Sequence, residues 1–516
     1  MTSDIKDQTY TAKRRNCGRL LEYSKEFCEK TSLHGLQYLG ETHRSWPERV
    51  CWVLAISLSI AFCMNVIGKQ WNKWKTSPVI VTFAETSTPA WDIPFPAVTI
   101  CSETKFRQST VNMTDLLTKR KQGRITANES KILEYTYMLC NVESSGGPST
   151  TDIGLIEHIL KITPPVTEVI KGCRWRGKQT VRCRDIFKTI VADEGVCYTF
   201  NSLAVEELFT EAALRKKITN ATRWSKNWSF EKGFTTEEDL DDTYPLRTKS
   251  AGAMSGLFAY LYALDDERDL SCRIPLKGFK MVIHSPAVFP EIKKEYFRVP
   301  SNYDVVIGVS PKVIITADEL RSYSPEARKC YFGEERKLLF FRVYTQESCE
   351  LECFTNFTQI KCDCAEYYMP LSGLENTQLC GPEKLLCTKD IQDDYNFDTV
   401  HREQCHCLPS CTEIQYDVET SQAEYMTRKP YGNETELLST SISVFLKNMQ
   451  VLTRKRSELY GLSDFLANCG GLLGLCIGFS ILSLVEVVYF FTLRIFFNFR
   501  KEHKKQEAPH INNEKY

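Results

Sequence analysis

No Gly-x-Ser-x-Gly elbow and no His-Glu-x-x-His pair occurs in this chain, and its eight histidines are scattered. A serine-hydrolase or zinc-hydrolase reading therefore has no residues to stand on, and enzyme activity has no positive support. Net charge is also missing. The 65 Lys and Arg balance 65 Asp and Glu, which offers neither a basic face for nucleic acid nor an acidic tail. Two long stretches lack charge almost entirely: residues 50–68 carry none, and residues 465–493 carry Glu486 alone. At about 1.5 Å rise per residue, each can cross a hydrocarbon core ~30 Å thick as a helix.

The second stretch is an odd anchor. Gly470, Gly471, Gly474 and Gly478 each cost about 1 kcal/mol relative to Ala in a helix. Two arrangements offset that: close helix approach along Gly470-xxx-Gly474-xxx-Gly478, or unwound backbone lining a water-filled passage. A carboxylate inside a span faces a bundle interior or an aqueous path. Asn468 precedes Glu486 by eighteen residues, about five turns of an unbroken helix, so both would share one face, read as a pore wall. The plainer alternative is an anchor with a tolerated Glu and a glycine packing face.

Residues 1–49 hold nine Lys or Arg against seven Asp or Glu, too long a leader for a cleaved signal peptide, and no clear small-x-small site follows the first apolar run. Trp46, Trp52, Trp71 and Trp74 flank that run as an aromatic belt. Basic residues before it, and Arg494, Arg500, Lys501, Lys504 and Lys505 after the second, put both termini in the cytosol. The expected organisation is a cytosolic segment 1–49, a first span 50–68, an extracellular domain 69–462, a second span 463–493 and a cytosolic tail 494–516. Both spans belong to a multi-pass protein of the plasma membrane.

Sixteen of the 22 cysteines fall between Cys101 and Cys411, an even number. Glycosylation sequons stand at Asn112, Asn128, Asn220, Asn227, Asn356 and Asn433, with none before Cys101. Together these read as an extracellular, disulfide-bonded region. Zinc is the rival reading for the dense run from Cys330, but structural zinc prefers C-x2-4-C pairs and a reducing compartment.

Within that region residues 79–83, 97–100 and 441–446 read as strands, and residues 131–139, 155–162 and 202–215 as helices, giving a mixed α and β domain. Strands joined directly to both spans could pass motion into the membrane. Residues 172–179 nearly match a phosphate-binding loop, but Gln179 replaces the Mg²⁺-binding hydroxyl. The carboxylate runs Glu237, Glu238, Asp239, Asp241, Asp242 and Asp265, Asp266, Glu267 read as solvated faces, or as proton sensors if pressed together.

An ordered set of motifs runs along the chain: His34-Gly35, FPAVTIC at residues 95–101, CYTFN at 197–201, the Cys349-to-Cys364 spacing followed by YYMP, CLPSC at 407–411, and GGLLGLCIGFSILSLVE at 470–486. This set resembles the epithelial sodium channel/degenerin family, most nearly its insect pickpocket branch. The resemblance implies a two-span α-helical membrane protein with a large disulfide-rich α+β ectodomain, hand-like with palm, knuckle, finger, thumb and β-ball. It further implies a homo- or heterotrimeric channel with Na⁺ as permeant ion, amiloride as blocker, and no cofactor or bound metal.

The family pattern places the selectivity filter on Gly478, Phe479 and Ser480. It places pore and gate positions on Ala467, Asn468, Gly471, Gly474 and Glu486, and a cytosolic gating motif on His34 and Gly35. Phe479 departs from the small middle residue of several relatives. On this reading Ser480→Ala should disturb ion choice more than Ser483→Ala, about one turn further on. The resemblance also pairs Cys330 with Cys411, Cys349 with Cys407, Cys353 with Cys405, Cys362 with Cys387, Cys364 with Cys380, Cys101 with Cys197 and Cys173 with Cys183, leaving Cys140 and Cys272. The implied function is a channel subunit gated by an extracellular chemical or mechanical stimulus. The alternative is a non-conducting or modulatory subunit contributing its ectodomain as a sensory receptor within a heteromer.

Overall fold

The computed structural model describes residues 24–76, 79–143, 148–179, 182–213, 224–235, 243–371, 378–397, 403–425, 439–459, 461–497 and 500. The chain forms two compact units: residues 1–80 with 458–516, and residues 81–457.

In the first unit Trp46–Thr76 is one helix of 31 residues, longer at both ends than its uncharged centre because the flanking Trp and Lys residues are good interfacial neighbours of a span. The second apolar stretch is not one helix. It runs as Leu462–Ile477, stops, and resumes at Ile481, with the two parts bent by 72°. This overturns the unbroken-helix argument for Asn468 and Glu486, whose shared face needed continuous 3.6-residue periodicity through Gly478. The two apolar helices pack at one end through Phe465, stacked on Trp74 with centroids 5.2 Å apart and against Trp71 at 5.6 Å. At the other end Phe27 sits 5.4 Å from both Phe490 and Phe491.

The second unit is built on two sheets. The larger has as its spine the strand Tyr303–Thr316, paired antiparallel along one edge with Glu413–Glu424. Its other edge takes Ser439–Leu446 against residues 304–309 and Arg454–Glu458 against residues 314–316, both parallel. Pro311 falls between those two partners, where that edge carries no ladder and a missing N–H is tolerated. Val79–Phe83 flanks Arg454–Glu458, while Leu257–Tyr262 and Ile170–Trp175 extend the sheet on the far side.

The second sheet is antiparallel in the order Phe297–Val299, Phe279–His284, Ala97–Ser102, Gly195–Phe200, Phe187–Ala192. Its central strands Ala97–Ser102 and Gly195–Phe200 are buried nearly throughout, as their apolar runs require of a sheet covered on both faces. The turn between the last two strands carries Asp193 and Glu194.

Helices cover the sheets. Ala127–Cys140 starts on a capping box from Thr126 and Glu129, and Gly154–Ile162 buries Leu155, Ile156, Ile159 and Ile162 as one apolar stripe. The expected helix over 202–215 is only the turn Val205–Leu208 and a 3-10 turn at Glu211–Ala213, residues 214 and 215 lying outside the described set. Phe209 instead bridges to Phe341, the Arg342 N–H donates to Leu208 O and the Thr210 N–H to Phe340 O, so tertiary pairing overrides a local helical pattern.

Eight disulfides close: Cys101–Cys197, Cys140–Cys272, Cys173–Cys183, Cys330–Cys411, Cys349–Cys407, Cys353–Cys405, Cys362–Cys387 and Cys364–Cys380. Seven of these are the pairs that the resemblance implied, and Cys140–Cys272 joins the two cysteines it left over. Cys349 and Cys353 lie four apart on the helix Gln346–Cys362, hence on one face, where two successive bridges can fasten it to residues 405–407.

Residues 172–179 run from Ile170–Trp175 through a turn into Lys178–Gln179, an antiparallel strand pair followed among the described residues by only a three-residue 3-10 turn at Cys183–Asp185, which removes the phosphate-loop reading. Of the sequons, Asn112, Asn128, Asn227 and Asn356 are exposed, while Asn220 and Asn433 lie outside the described residues.

Candidate functional site

The break in the second apolar stretch follows from its sequence. Gly478 takes φ 67° and ψ 24°, left-handed backbone that an L side chain adopts only at a cost. Its N–H bonds Gly474 O at 2.9 Å, closing an αL cap, and Phe479 N–H reaches Leu473 O at 3.3 Å. Ser480 then caps the resumed helix Ile481–Val488, its hydroxyl accepting from Ser483 N–H at 3.2 Å. Gly478, Phe479 and Ser480 are thus the non-helical residues of the segment. Of the two ways to offset the glycines, unwound backbone accounts for Gly478. A Cβ added at Gly470 or Gly471 would meet no other part of this chain within 4 Å, their own helix backbone aside.

The His34-Gly35 pair comes to this break. The His34 N–H donates to Ile477 O at 3.0 Å, satisfying a helix-end carbonyl, and the His34 ring lies so close that a Cβ on Gly478 would meet Nδ1 at 2.7 Å. Gly35 needs its φ of 86°, with the Ile56 side chain beside it. Ser59 on the long helix donates to Cys476 O at 2.8 Å, satisfying another orphan carbonyl of the broken end.

Below the break runs a chain of hydroxyls. Ser480 Oγ lies 3.1 Å from Ser483 Oγ, which lies 2.9 Å from Ser32 Oγ. Ser32 donates to Glu486 Oε2 from its hydroxyl at 2.8 Å and from its N–H at 3.2 Å. Arg494 pairs with Glu26 nearby. Ala467, Asn468 and Gly471 are exposed on this chain, and the nearest atom to a Cβ on Gly474 would be Phe479 O at 3.8 Å. The structure therefore brings His34, Gly35, Gly478, Ser480 and Glu486 together and leaves Ala467, Asn468 and Gly471 apart from them. Sequence reasoning missed Ser32 and Ser59 and gave Ser483 only the lesser role, because single serines carry no pattern until a partner more than 400 residues away is known.

These contacts add to the expected contrast in ion choice between Ser480 and Ser483 a second expectation, about current. Ser483 is buried and links Ser480 to Ser32. Removing its hydroxyl takes the acceptor from the Ser480 N–H, which donates to Ser483 Oγ at 3.2 Å, and cuts the link between Ser480 and Ser32, at about 1–3 kcal/mol. Ser483→Ala is therefore expected to lower current at least as much as Ser480→Ala, with the Na⁺/K⁺ reversal potential moved by Ser480→Ala. A Ser483→Ala channel with parental current would show that this hydrogen-bonded chain is dispensable.

In the second unit the carboxylates that matter are not the acidic runs. Residues 237–242 lie outside the described set. Asp265 accepts from Ser301 at 2.7 Å, and Glu267 from Ser109 at 3.2 Å, its carboxyl held below the usual range by those bonds. Among the described residues the raised carboxyls are Asp193, Glu291 and Glu413, all pushed up first by burial.

Glu291 is the strongest case. Burial moves it to about 7, Lys294 at 3.8 Å opposing while Asp193, Glu350 and Glu347 push it further up. Because the folded value exceeds the unfolded 4.5, its contribution to stability is full below about 4.5 and lost as pH rises through about 7. Its side chain is a quarter exposed, which limits the loss to about 1–2 kcal/mol. The fall in thermal stability of the purified chain across that window should be shallower by this amount in Glu291→Gln. An unchanged slope would mean that Glu291 is hydrated and ionised throughout.

The chain thus carries a disulfide-rich domain, a 31-residue apolar helix long enough to cross a membrane, and a broken apolar pair with His34 packed on its non-helical turn. The family model described as amiloride-sensitive sodium channel matches residues 27–490, and the chain belongs to that family. It is 28% identical over 509 residues to Pickpocket protein 28 of Drosophila melanogaster, covering 93% of this chain and 80% of that one. Sodium channel protein Nach of Drosophila ananassae is 24% identical over 507 residues, 92% of this chain and 87% of the relative. Acid-sensing ion channel 4-B of Danio rerio is 23% identical over 495 residues, 90% and 74%.

Proposed function

We propose that this chain is a subunit of a sodium-selective, amiloride-sensitive channel, opened by an extracellular chemical or mechanical stimulus. It spans the plasma membrane twice with both termini cytosolic, and it works as a trimer of like or related subunits. The observation that carries this reading is the turn Gly478–Phe479–Ser480, where helical hydrogen bonding stops inside an apolar stretch. Free carbonyls at membrane depth are sustainable where they line water or protein. Three such turns about an axis would offer backbone oxygens, and Ser480 hydroxyls, to replace part of a cation's water shell. Three Glu486 carboxylates would draw cations toward them and repel anions. His34 and Gly35, packed on the turn, would couple the cytosolic segment to its geometry.

Voltage clamp of cells expressing the chain, alone and with related subunits, tests this. The expected result is an amiloride-blockable current whose reversal potential follows the Na⁺ gradient. Surface-expressed protein that changes no current, alone or in combination, would leave the non-conducting receptor subunit.

A further inference from the structure

In the second unit Glu194, on the turn between Phe187–Ala192 and Gly195–Phe200, lines a cavity of about 360 Å³ whose charges do not balance. Glu194 is buried and accepts from Lys105 at 3.0 Å, from Lys280 at 2.6 Å and from Arg273. Burial would raise its carboxyl, but these cations outweigh burial and hold it well below the usual range. One carboxylate thus serves three cations. Arg298 has its own partner in Glu103 at 2.8 Å, and Lys293 adds another positive charge to the lining. Asp193, the residue before Glu194, is not among the lining residues and takes the backbone N–H groups of Ile292 at 3.0 Å and Lys293 at 2.6 Å. Burial and the adjacent Arg273 push Lys105 down to about 8, the direction expected of a site with too many cations.

Arg273 is held ready rather than free. It sits at φ 64° beside the Cys140–Cys272 disulfide, and its guanidinium donates to Leu139 O at 2.9 Å, a carbonyl at the end of Ala127–Cys140. Its Nε is buried without a partner among the described residues. Left-handed backbone at a non-glycine residue, an unsatisfied guanidinium N–H and surplus positive charge converge on one cavity. Next to the cations the wall turns apolar: Ile274 is 72% exposed and Leu276 38%. A bare inorganic anion would satisfy the charge and leave this rim wet.

We propose that this cavity binds a small organic carboxylate with an apolar body, its carboxylate on Arg273, Lys280, Lys293 and Arg298, and its body against Ile274 and Leu276. The volume falls in the ~300–1,000 Å³ range of small-ligand sites, and a carboxylate matches the planar donors of Arg. The same chemistry is carried by a free acid and by the C-terminal residue of a peptide.

The test uses the detergent-solubilised full chain and calorimetric titration with hexanoate, hexanamide, acetate and sulfate. Hexanoate should bind, and hexanamide and acetate should each bind at least about tenfold more weakly, since a charged hydrogen-bonded contact and a buried apolar chain are each worth 1.4 kcal/mol or more. Hexanoate affinity should fall with added salt. Arg298→Gln and Lys293→Gln, on partly exposed side chains that the fold tolerates losing, should each weaken hexanoate about tenfold. Glu103→Gln, which releases Arg298, should strengthen it, and Ile274→Ser should weaken hexanoate while leaving acetate unchanged.

Equal binding of hexanoate and hexanamide, sulfate binding as tightly as hexanoate, or cation variants that titrate like the parent would each overturn the proposal. Acetyl-Gly-Gly-Leu with a free or amidated C-terminus separates the sources. Tighter binding of the free-acid peptide assigns a chain end, hexanoate binding alone assigns a free acid, and binding of neither overturns the site. Because titration reads binding without current, a negative result here leaves the channel reading standing, and a silent channel leaves this one standing.

Discussion

Ala467→Phe is expected to produce a standing, amiloride-blockable current in the absence of any stimulus. Ala467 lies in the first part of the broken pair, Leu462–Ile477, and is exposed on this chain. Phe465, two residues earlier, stacks on Trp74 of the long helix. Two residues are about 200° around a helix, so Ala467 points away from the long helix, toward whatever lies across the channel axis. In the proposed trimer that is the same position of the neighbouring subunits, where small side chains let helices approach closely. Bulk there has no room within the contact, and overpacking costs about 1–3 kcal/mol. Borne by the closed state alone, this raises the open-to-closed ratio roughly five- to 150-fold. Ala467→Val should fall lower in that range and Ala467→Gly should gate nearly normally. Resting current at matched surface expression measures it, and an unchanged baseline in the Phe and Val variants would remove Ala467 from the closing contact.

What the sequence made legible was local. The uncharged run at 50–68 lies inside Trp46–Thr76, and alternating or apolar runs gave Val79–Phe83, Ala97–Ser102 and Ser439–Leu446 to within two residues. The stripe of Leu155, Ile156, Ile159 and Ile162 gave its helix. What was not legible depends on partners far along the chain. The spine strand Tyr303–Thr316 is fixed by Glu413–Glu424, about a hundred residues on. Residues 202–215 have a helical pattern but answer to Phe341.

The site divides in the same way. Gly478 and Ser480 carry their turn and cap chemistry in their own identities, so the break was one of two readings open from residues alone. Ser32 has no signature, and its bond to Glu486 spans 454 residues. Charge was legible only in part for a related reason. Runs of adjacent carboxylates draw the eye, yet Asp265 and Glu267 each find a separate donor. Isolated Glu291 is brought near Asp193 and Glu350 by the fold alone.

The largest loss is expected from Gly478→Ala, because two costs fall on one atom. The first is conformational: at φ 67° an L side chain pays about 1–2 kcal/mol. The second is steric: the new Cβ would stand 2.7 to 2.8 Å from three atoms of the His34 ring, a distance that forces the ring or the backbone to move, at about 1–3 kcal/mol. Together they disfavour the present geometry by about 2–5 kcal/mol, roughly 30-fold to several thousand-fold in population.

The two costs can be separated. His34→Ala removes the ring but keeps the backbone N–H that bonds Ile477 O, so in a His34→Ala background Gly478→Ala should cost only its conformational share, about five- to 30-fold. The measurement is amiloride-blockable current per channel at the surface for the parent, both single variants and the double variant. A cycle in which the two substitutions multiply independently would place His34 away from Gly478 in the conducting channel. A double variant less impaired than that product would locate the contact in the state that carries current, and would tie the segment holding His34 to the turn at Gly478.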